Sequence, residues 1–318
     1  MSTDEQSRSD GQSRSDRSDD PALDDPGPAE AEAGPEPAGP GSTGLLLLAA
    51  TPLGDPGDAS ARLIAALGNA HVVAAEDTRR VRTLANALGV KITGRIVSHY
   101  DAVEAQRAPA LVEAVRNGQT VLMVTDAGMP SVSDPGYRLV SACVAAGLPV
   151  SCLPGPSAVT TALALSGLPC DRFCFEGFAP RKPGERRKWL DELSREPRTA
   201  VFFESPRRLA ATLADAVDVL GGERAAAVCR ELTKTYEQVL RGSLAELSKW
   251  ATDVEVRGEI TVVLAGAVVQ DAPLDVLVAR VRDRVAEGER LKDAVNIVAA
   301  GTRIPKRDLY AAALPDGS

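Results

Sequence analysis

From residue 43 onward, short apolar segments of β-type composition alternate with amphipathic segments of helical periodicity. The pattern predicts strands at Leu45–Ala50, Thr120–Thr125 and Val150–Leu153, each followed by a helix. Strands that alternate with helices form a mostly parallel sheet with helices on its faces, and the uninterrupted apolar run Thr120–Thr125 is typical of burial on both faces. We therefore predict an α/β fold, and 318 residues are enough for two domains.

Changes in composition divide the chain into four parts. The expected parts are an acidic tail over 1–42, an N-terminal α/β domain over 43–154, a C-terminal α/β domain over 155–270 and a helical C-terminal element over 271–318. The tail has almost no large apolar side chain and cannot offset its ordering entropy, so we predict that it is disordered. Near the end, Leu291–Ala300 and Pro305–Leu314 predict a helix–turn–helix unit, which either binds a nucleic acid or only packs against the body.

Capping residues predict where several helices begin. Asp58 precedes the helical segment Ala59–Leu67, and Ser205 precedes Pro206. Asp134-Pro135 predicts another helix start, because the missing N–H of proline costs nothing at the first helical position. The remaining predicted elements are strands His71–Ala75, Arg172–Phe178, Thr199–Phe203, Ala225–Arg230 and Glu259–Ala265, and helices Thr78–Leu88, Ser157–Leu165 and Glu185–Leu193.

Composition argues against several classes of protein. Leu45–Ala50, the longest apolar run, is too short to cross a bilayer, and no signal-peptide pattern is present, so we expect a cytoplasmic protein without a membrane partner. Five cysteines and two histidines supply a zinc site poorly, so we expect reduced, buried cysteines and no metal. Glycine-rich dinucleotide and P-loop signatures are missing, as is a serine-hydrolase elbow.

The net charge of −8 reflects the tail and not the body. Of 44 acidic and 36 basic residues, 11 and 3 lie within residues 1–40, which leaves 33 of each for the rest. An acidic average therefore does not exclude a nucleic-acid partner, because local patches of charge decide such binding.

Glycines, prolines and acids follow three of the predicted strands directly, in Ala50–Asp55, Thr125–Gly136 and Pro154–Ala158. Each segment alone is an ordinary turn. In open α/β sheets, however, ligands bind outside the carboxyl ends of the strands, where glycines let the backbone approach and an acid accepts hydrogen bonds. Three such segments together predict one ligand site.

The same segments resemble a known family. Leu48–Gly54 (LAATPLG), Ala75–Arg79 (AEDTR) and Thr125–Gly136 (TDAGMPSVSDPG) are similar to motifs of the tetrapyrrole methylase superfamily. The EDTR and SDPG blocks resemble its ribosomal branch in particular. The similarity runs in order from about Leu45 to Ala265 and continues through Pro154–Ala158, Phe175–Phe178, Glu204–Arg208, Arg230–Lys234 and Arg257–Ile260.

One block departs from the family pattern. The family shows Ser-Tyr-His followed shortly by Asn-Glu, whereas this chain has Ser98-His99-Tyr100-Asp101 and then Val103-Glu104. The histidine and tyrosine are exchanged and the asparagine is missing, so no role is carried over to His99.

The resemblance implies two α/β domains of the tetrapyrrole methylase type with S-adenosylmethionine in the cleft between them, and a homodimer. It implies methylation of the 2′-oxygen of a cytidine ribose in 16S rRNA of the small ribosomal subunit. By position, it implies donor contacts from Pro52, Leu53, Thr125, Asp126, Met129, Ser157, Ala158, Glu204, Gly258, Glu259 and Ile260. A small-molecule methylase of the tetrapyrrole or diphthamide branch and a non-enzymatic RNA-binding protein are the alternatives.

Methyl transfer to a ribose hydroxyl, a weak acid, would be helped by a base or by a cation near the developing alkoxide. Glu76, Asp77 and Arg79 follow a predicted strand and are the catalytic candidates, with His99 behind them. Capping of the next helix is the alternative for Glu76 and Asp77.

Two basic segments are candidates for contacts with RNA phosphates. The first holds Arg181, Lys182, Arg186, Arg187 and Lys188; the second holds Arg207 and Arg208; a C-terminal group of Arg303, Lys306 and Arg307 could add to them. A solvated charged surface is the alternative. Aromatic residues are only 3 % of the chain, so base stacking depends on single residues such as Phe178, Trp189 or Tyr310.

Overall fold

The structure is a computed structural model that describes residues 44–267, 273–299, 302 and 304–314. The acidic tail over 1–42 and Arg303 lie outside these residues, so what the sequence predicts for them stays a prediction. The described strands are β1 Leu45–Ala49, β2 Val72–Ala75, β3 Arg95–Ser98, β4 Thr120–Val124, β5 Val150–Leu153, β6 Phe173–Phe178, β7 Thr199–Glu204, β8 Ala225–Arg230, β9 Gln238–Ser243 and β10 Ile260–Leu264. The described α-helices are α1 Ala61–Asn69, α2 Thr78–Ala87, α3 Asp101–Arg116, α4 Tyr137–Ala145, α5 Ala158–Ser166, α6 Pro183–Leu193, α7 Pro206–Leu220, α8 Leu244–Asp253, α9 Leu274–Ala286, α10 Leu291–Ala299 and α11 Lys306–Ala313.

The first sheet is parallel and has the strand order β3-β2-β4-β1-β5. Successive side chains of a strand point to opposite faces, and both faces are covered here. Leu46 and Leu48 of β1 pack against α3 and α4, whereas Leu47 and Ala49 pack against α1 and α2. Burial on both faces explains the uninterrupted apolar composition of these strands and confirms the predicted α/β class.

The neighbouring strands β1 and β4 lead into helices on opposite faces of this sheet. Helix α1, which follows β1, packs on one face through Leu63 and Leu67, and helix α4, which follows β4, packs on the other through Leu139 and Cys143. Because the two chain directions diverge, a crevice opens between the carboxyl ends of the strands. This is where ligands bind in open α/β sheets.

The second sheet is mixed and has the order β6-β7-β10-β8-β9, in which only β6 and β7 are parallel. Helices α6, α7 and α8 cover one face, where Phe202 and Val262 are buried. Helix α5 covers the other face, where Val201 and Val263 are buried. Leu53, from the loop after β1, joins this second core and links the two sheets.

Helices α9, α10 and α11 form a C-terminal helical element with a hydrophobic core of its own. Leu277 and Val281 of α9 pack there with Val295 of α10 and Leu309 of α11. None of the described helices is both long enough and apolar enough to pass through a membrane.

Two predicted helix starts are wrong. The side chain of Ser60, and not that of Asp58, accepts the backbone N–H of Leu63 (3.0 Å) and caps α1. Helix α4 begins at Tyr137 after Gly136, whose φ of 137° is a left-handed value that favours glycine, and not at Asp134-Pro135. The sequence pattern did not predict β3, α3, β9 and α8.

A buried ion pair joins α6 to α7. Arg186 Nε donates to Asp215 Oδ2 (2.7 Å), and the Arg186 side chain is only 6 % exposed. Arg187 Nε donates to the other oxygen of Asp215 (2.8 Å), and Arg187 Nη2 donates to Asp218 (2.8 Å). Arg186 therefore holds two helices together.

We expect Arg186→Met to lower the free energy of unfolding by about 3 kcal/mol, because removing one partner of a buried pair leaves the other charge poorly compensated. Urea unfolding measures the change. Lys188→Met is the matched control, since Lys188 is exposed on the same helix and forms no ion pair with a described residue, and it should change the stability by less than about 0.5 kcal/mol. Equal effects of the two substitutions would contradict a structural role for Arg186.

Candidate methyl-donor crevice

A cavity of about 420 Å³ lies between the two sheets, at the carboxyl ends of the first-sheet strands. Its volume is within the usual range for small-molecule sites. Nine of the eleven residues that the resemblance implied as donor contacts line it, namely Leu53, Asp126, Met129, Ser157, Ala158, Glu204, Gly258, Glu259 and Ile260. The predicted loops thus meet at one place, together with the end of β7 and the start of β10.

Backbone hydrogen bonds fix the loops after β1 and β4 to each other. The N–H of Thr51 donates to the carbonyl of Gly128 and the N–H of Gly128 to the carbonyl of Thr51, both at 2.9 Å. Thr51 Oγ1 donates to the carbonyl of Thr125 (3.1 Å). Pro52 and Thr125 are buried beside this bridge and do not line the cavity. These two residues support the wall and do not face the ligand space.

The loop after β1 also contacts the second sheet. A Cβ at Gly54 would overlap Cγ of Lys234, so this close approach requires glycine. The backbone N–H of Asp55 donates to Thr233 Oγ1 (3.3 Å). Lys234 Nζ in turn pairs with Glu231 (2.9 Å) and with Glu259 (3.1 Å) at the cavity. The loop after β1 of the first sheet therefore packs against the second sheet.

Two hydrogen bonds join the ends of β2 and β4 through Glu76, Asp77 and Asp126. The backbone N–H of Asp126 donates to Glu76 Oε2, and the backbone N–H of Asp77 donates to Asp126 Oδ1, both at 3.1 Å. Arg80 Nε lies 3.5 Å from Asp126 Oδ2. Glu76, Arg80 and Asp126 all line the cavity. Burial raises the pKa of both carboxyls above the ordinary value.

Asp134, which the sequence predicts at a helix start, is a crevice residue. It lines the cavity and is half-buried. Burial, followed by repulsion from Glu76 and Asp126, raises the pKa of Asp134 to about 7. A carboxyl that titrates near neutral pH within a cavity is a feature of functional sites. In the sequence, only its position in the loop after a buried strand pointed to the crevice.

Asp77 and Arg79, two of the catalytic candidates, do not line the cavity. Asp77 is the N-cap of α2, where its side chain accepts the N–H of Arg79 (2.8 Å), and the two side chains also form an ion pair (2.7 Å). These hydrogen bonds hold the pKa of Asp77 well below its usual range. The capping alternative therefore describes Asp77, whereas Glu76 faces the crevice.

Glu204 lines the cavity, but its carboxylate already has partners. The backbone N–H of Ser205 donates to Glu204 Oε1 (2.6 Å), and Thr212 and Arg208 contact the same carboxylate at 2.5 Å each. The side chain is fully buried. Glu204 therefore fixes the start of α7 beside the crevice. Both of its carboxylate oxygens are engaged, so neither is free to accept a hydrogen bond from the amino group of a bound methyl donor.

His99 lies behind the crevice wall. Its ring is fully buried, with Nε2 3.8 Å from Glu104 Oε1, and burial lowers the pKa of the imidazole. Among the described residues, no group of three His, Cys, Asp or Glu side chains is placed to hold a metal. Of the cysteines, Cys143 and Cys229 are buried, whereas Cys152 and Cys170 are exposed, so the predicted burial is wrong for these two.

The structure divides the predicted phosphate contacts into two groups. Arg186 is buried against Asp215 and cannot reach a phosphate, so the prediction for this residue is wrong, and Arg187 is engaged by Asp215 and Asp218. In the two basic segments, Arg181, Lys182, Lys188 and Arg207 are exposed and do not pair with Asp215 or Asp218. Arg181, Lys182 and Arg207 closely follow the cavity residues Phe178 and Pro206 in the chain, and Lys182 pairs with Glu185 (2.9 Å).

Two of the aromatic candidates differ in what they contact. Trp189 Nε1 donates to Glu176 (3.1 Å) and its ring packs edge-on against Phe202, so it belongs to the second-sheet core. Phe178 lines the crevice and is 59 % exposed, so it has a free face for stacking. Tyr310 is exposed on α11, which is far from the crevice loops in the sequence.

Comparison with known proteins places this arrangement in a family. Residues 45–248 match the family Tetrapyrrole (Corrin/Porphyrin) Methylases. The chain is 63% identical over 274 residues to the ribosomal RNA small subunit methyltransferase I of Mycobacterium tuberculosis (strain ATCC 25618 / H37Rv), covering 86% of this chain and 95% of that protein. It is 40% identical to the protein of the same name from Halalkalibacterium halodurans, covering 84% and 93%.

Solved structures share the fold at lower identity. The methyltransferase CobJ superposes with a TM-score of 0.55 at 21% identity, covering 71% of this chain and 95% of CobJ. Diphthine synthase superposes with a TM-score of 0.52 at 17% identity, covering 70% and 89%. The chain therefore belongs to the tetrapyrrole methylase family, within the group of ribosomal RNA small subunit methyltransferase I proteins.

Proposed function

We propose that this protein transfers the methyl group of S-adenosylmethionine to the 2′-oxygen of a cytidine ribose in 16S rRNA of the small ribosomal subunit. The observation that carries the proposal is that nine of the eleven expected donor contacts meet in one crevice. The relatives' name supports ribosomal RNA of the small subunit as the substrate. The choice of a cytidine 2′-oxygen rests on the resemblance to the ribosomal branch.

The residues of the crevice fit a nucleoside with a charged amino-acid end. Leu53, Met129 and Ile260 supply an apolar wall for an adenine ring. Asp126 supplies an acceptor for ribose hydroxyls or an amino group, and the small Gly128 leaves room beside it. When bound, S-adenosylmethionine supplies a methyl group that is already activated by its sulfonium. The task left to the protein is to hold the reacting atoms in line.

Glu76 and Asp126 form the fixed floor of the site. Before a ligand binds, the backbone N–H of Asp126 holds the Glu76 carboxylate, and the backbone N–H of Asp77 holds the Asp126 carboxylate. Arg80 places a cation at the crevice, 3.5 Å from Asp126, and compensates the negative charge of the Asp126 carboxylate. Asp77 and Arg79 act one step away, by fixing the start of α2 on which Arg80 lies.

The RNA is held at the rim. Arg181, Lys182 and Arg207 are exposed, and they closely follow the crevice residues Phe178 and Pro206 in the chain. The exposed ring of Phe178 suits stacking on an unpaired base. Such cations add affinity that is independent of sequence and sensitive to salt. The homodimer implied by the resemblance is part of this proposal, and the mass of the protein in solution tests it.

The product of the reaction tests the proposal directly. Small ribosomal subunits incubated with the protein and S-adenosylmethionine should yield 2′-O-methylcytidine in the nucleosides of their 16S rRNA. Mass spectrometry of the digested rRNA measures it, with Asp126→Ala as the control for catalysis by the crevice. A methylated base in its place, or methylation of a free tetrapyrrole only, would contradict the proposal.

Asp126→Ala should weaken the binding of S-adenosylmethionine by about 10- to 100-fold, because a hydrogen bond to a charged group contributes about 1.5–3 kcal/mol. Isothermal titration calorimetry measures the affinity. Asp191→Ala removes an exposed carboxylate from α6 and serves as the control. Unchanged donor affinity in Asp126→Ala would remove Asp126 from the site.

Replacing Arg181, Lys182 and Arg207 together by alanine should weaken binding of 16S rRNA and flatten its salt dependence. For each phosphate that the variant no longer neutralises, the slope of log K against log salt should decrease by about 0.7. Arg116→Ala is the control, since Arg116 is at the C-terminal end of α3, which packs on the first sheet. A triple variant with wild-type affinity and slope would place the RNA elsewhere.

A further inference from the structure

We propose that Asp134 is the catalytic residue that accepts the proton of the ribose 2′-hydroxyl, and that Glu104 is a positioning residue that holds the loop carrying Asp134. The inference rests on the proposed function and names the base of that same site.

Asp134 lies on the loop between β4 and α4, inside the crevice. Two residues that precede it in this loop, Ser131 (φ 70°) and Ser133 (φ 62°), adopt left-handed conformations that are uncommon for residues other than glycine. The N–H of Ser131 donates to the carbonyl of Pro135 (3.1 Å) and closes the loop around Asp134. Conformations of this kind persist where the surroundings enforce them, often at active sites.

Asp134 differs from the other crevice carboxylates in having no partner. Within the described part of the chain, it makes no hydrogen bond and no ion pair. Asp126 accepts the N–H of Asp77 and pairs with Arg80, and Glu76 accepts the N–H of Asp126. Glu204 and Glu259 are engaged as well. Asp134 therefore has both oxygens available to a substrate hydroxyl.

The groups that face Asp134 are mostly acidic. They are Glu76 at the end of β2, Asp101 at the start of α3, Asp126 after β4 and Glu259 before β10. Arg80 of α2 is a cation that lines the same cavity. Together with burial, these acids raise the pKa of Asp134 to about 7. A general base works best when its pKa is near the working pH, because it is then both ionised and basic.

The proposed step couples one proton transfer to one methyl transfer. The ribose O–H bond breaks as Asp134 takes the proton, the 2′-oxygen bonds to the methyl carbon, and the carbon–sulfur bond breaks with its electron pair left on sulfur. A neutral thioether results, and Asp134 later loses its proton to solvent.

Glu104 fixes the end of the loop from a different helix. It is buried on α3, and Glu104 Oε1 accepts the N–H of Gly136 (2.9 Å) and the N–H of Arg138 (3.1 Å). These groups belong to the N-terminus of α4, which has no cap of its own. Since Gly136 is two residues from Asp134, the anchor determines where the Asp134 carboxylate is held.

Asp134→Asn should lower kcat by about 100-fold or more, the usual size of a general-base contribution. Its affinities for S-adenosylmethionine and for rRNA, measured by calorimetry and filter binding, should stay within twofold of the wild-type values. In the wild type, log kcat should rise with pH below about 7 and then level off, because Asp134 accepts a proton only when ionised. Asp134→Asn should lack this break.

Two measurements separate this role from a structural one. In the free protein, a carboxyl ¹³C resonance that titrates near pH 7 should be present in the wild type and missing from Asp134→Asn. Asp101→Asn, which removes one of the repelling charges outside the cavity, should shift the break in the rate profile to lower pH and leave the plateau rate in place.

Glu104→Leu should lose kcat while keeping donor affinity, and Glu104→Gln should recover most of that loss, since its amide oxygen can accept the same two N–H groups. Thermal unfolding of both variants checks that they are folded.

If Asp134→Asn keeps kcat within threefold while the wild type forms 2′-O-methylcytidine, Asp134 is not the base and the proposed function stands. If the wild type forms no 2′-O-methylcytidine, the proposed function itself fails.

Discussion

The pair of backbone hydrogen bonds between Thr51 and Gly128 is the interaction on which the site depends. Strands β1 and β4 lead into helices on opposite faces of the first sheet, so their loops would otherwise diverge. The bridge keeps the two loops together at their base, and the crevice opens above it. Leu53 then extends into the core of the second sheet, so the loop after β1 contacts both sheets.

Several carboxylates line this crevice, and most of them have cationic or N–H partners whereas one has none in the described part of the chain. Asp126 has Arg80 and a backbone N–H, Glu259 has Lys234, and Glu204 has Arg208. Asp134 alone among the crevice carboxylates has no such partner within the described residues. A site with this charge pattern is prepared for a cationic ligand, and it leaves one carboxylate able to exchange a proton.

The sequence predicted those features that local pattern determines. Apolar runs identified four of the five strands of the first sheet, and the loops after them identified the crevice residues on that side, because strand ends and turn residues adjoin in the chain. Glu204 and Gly258–Ile260 came from the resemblance to the family. Asp134 and Arg186 were misassigned for a shared reason: their environments come from distant parts of the chain. Asp134-Pro135 has the local sequence of a helix start, yet the helix begins later and is capped by Glu104, thirty residues before Asp134. Arg186 lies in a basic run, yet Asp215 of another helix neutralises its charge. Strand β3 and helix α3 have weak periodicity, and α3 contains Pro109.

Gly54 lies where the loop after β1 approaches the second sheet very closely. Its missing side chain lets Lys234 lie directly against the backbone, and Lys234 in turn reaches Glu231 and Glu259 on the second sheet. Any larger residue would have to displace that lysine. That displacement would disturb the ion pairs of Lys234 with Glu231 and Glu259. The bare backbone at Gly54 thus lets a cation of the second sheet sit between the two walls and neutralise an acidic residue of the crevice.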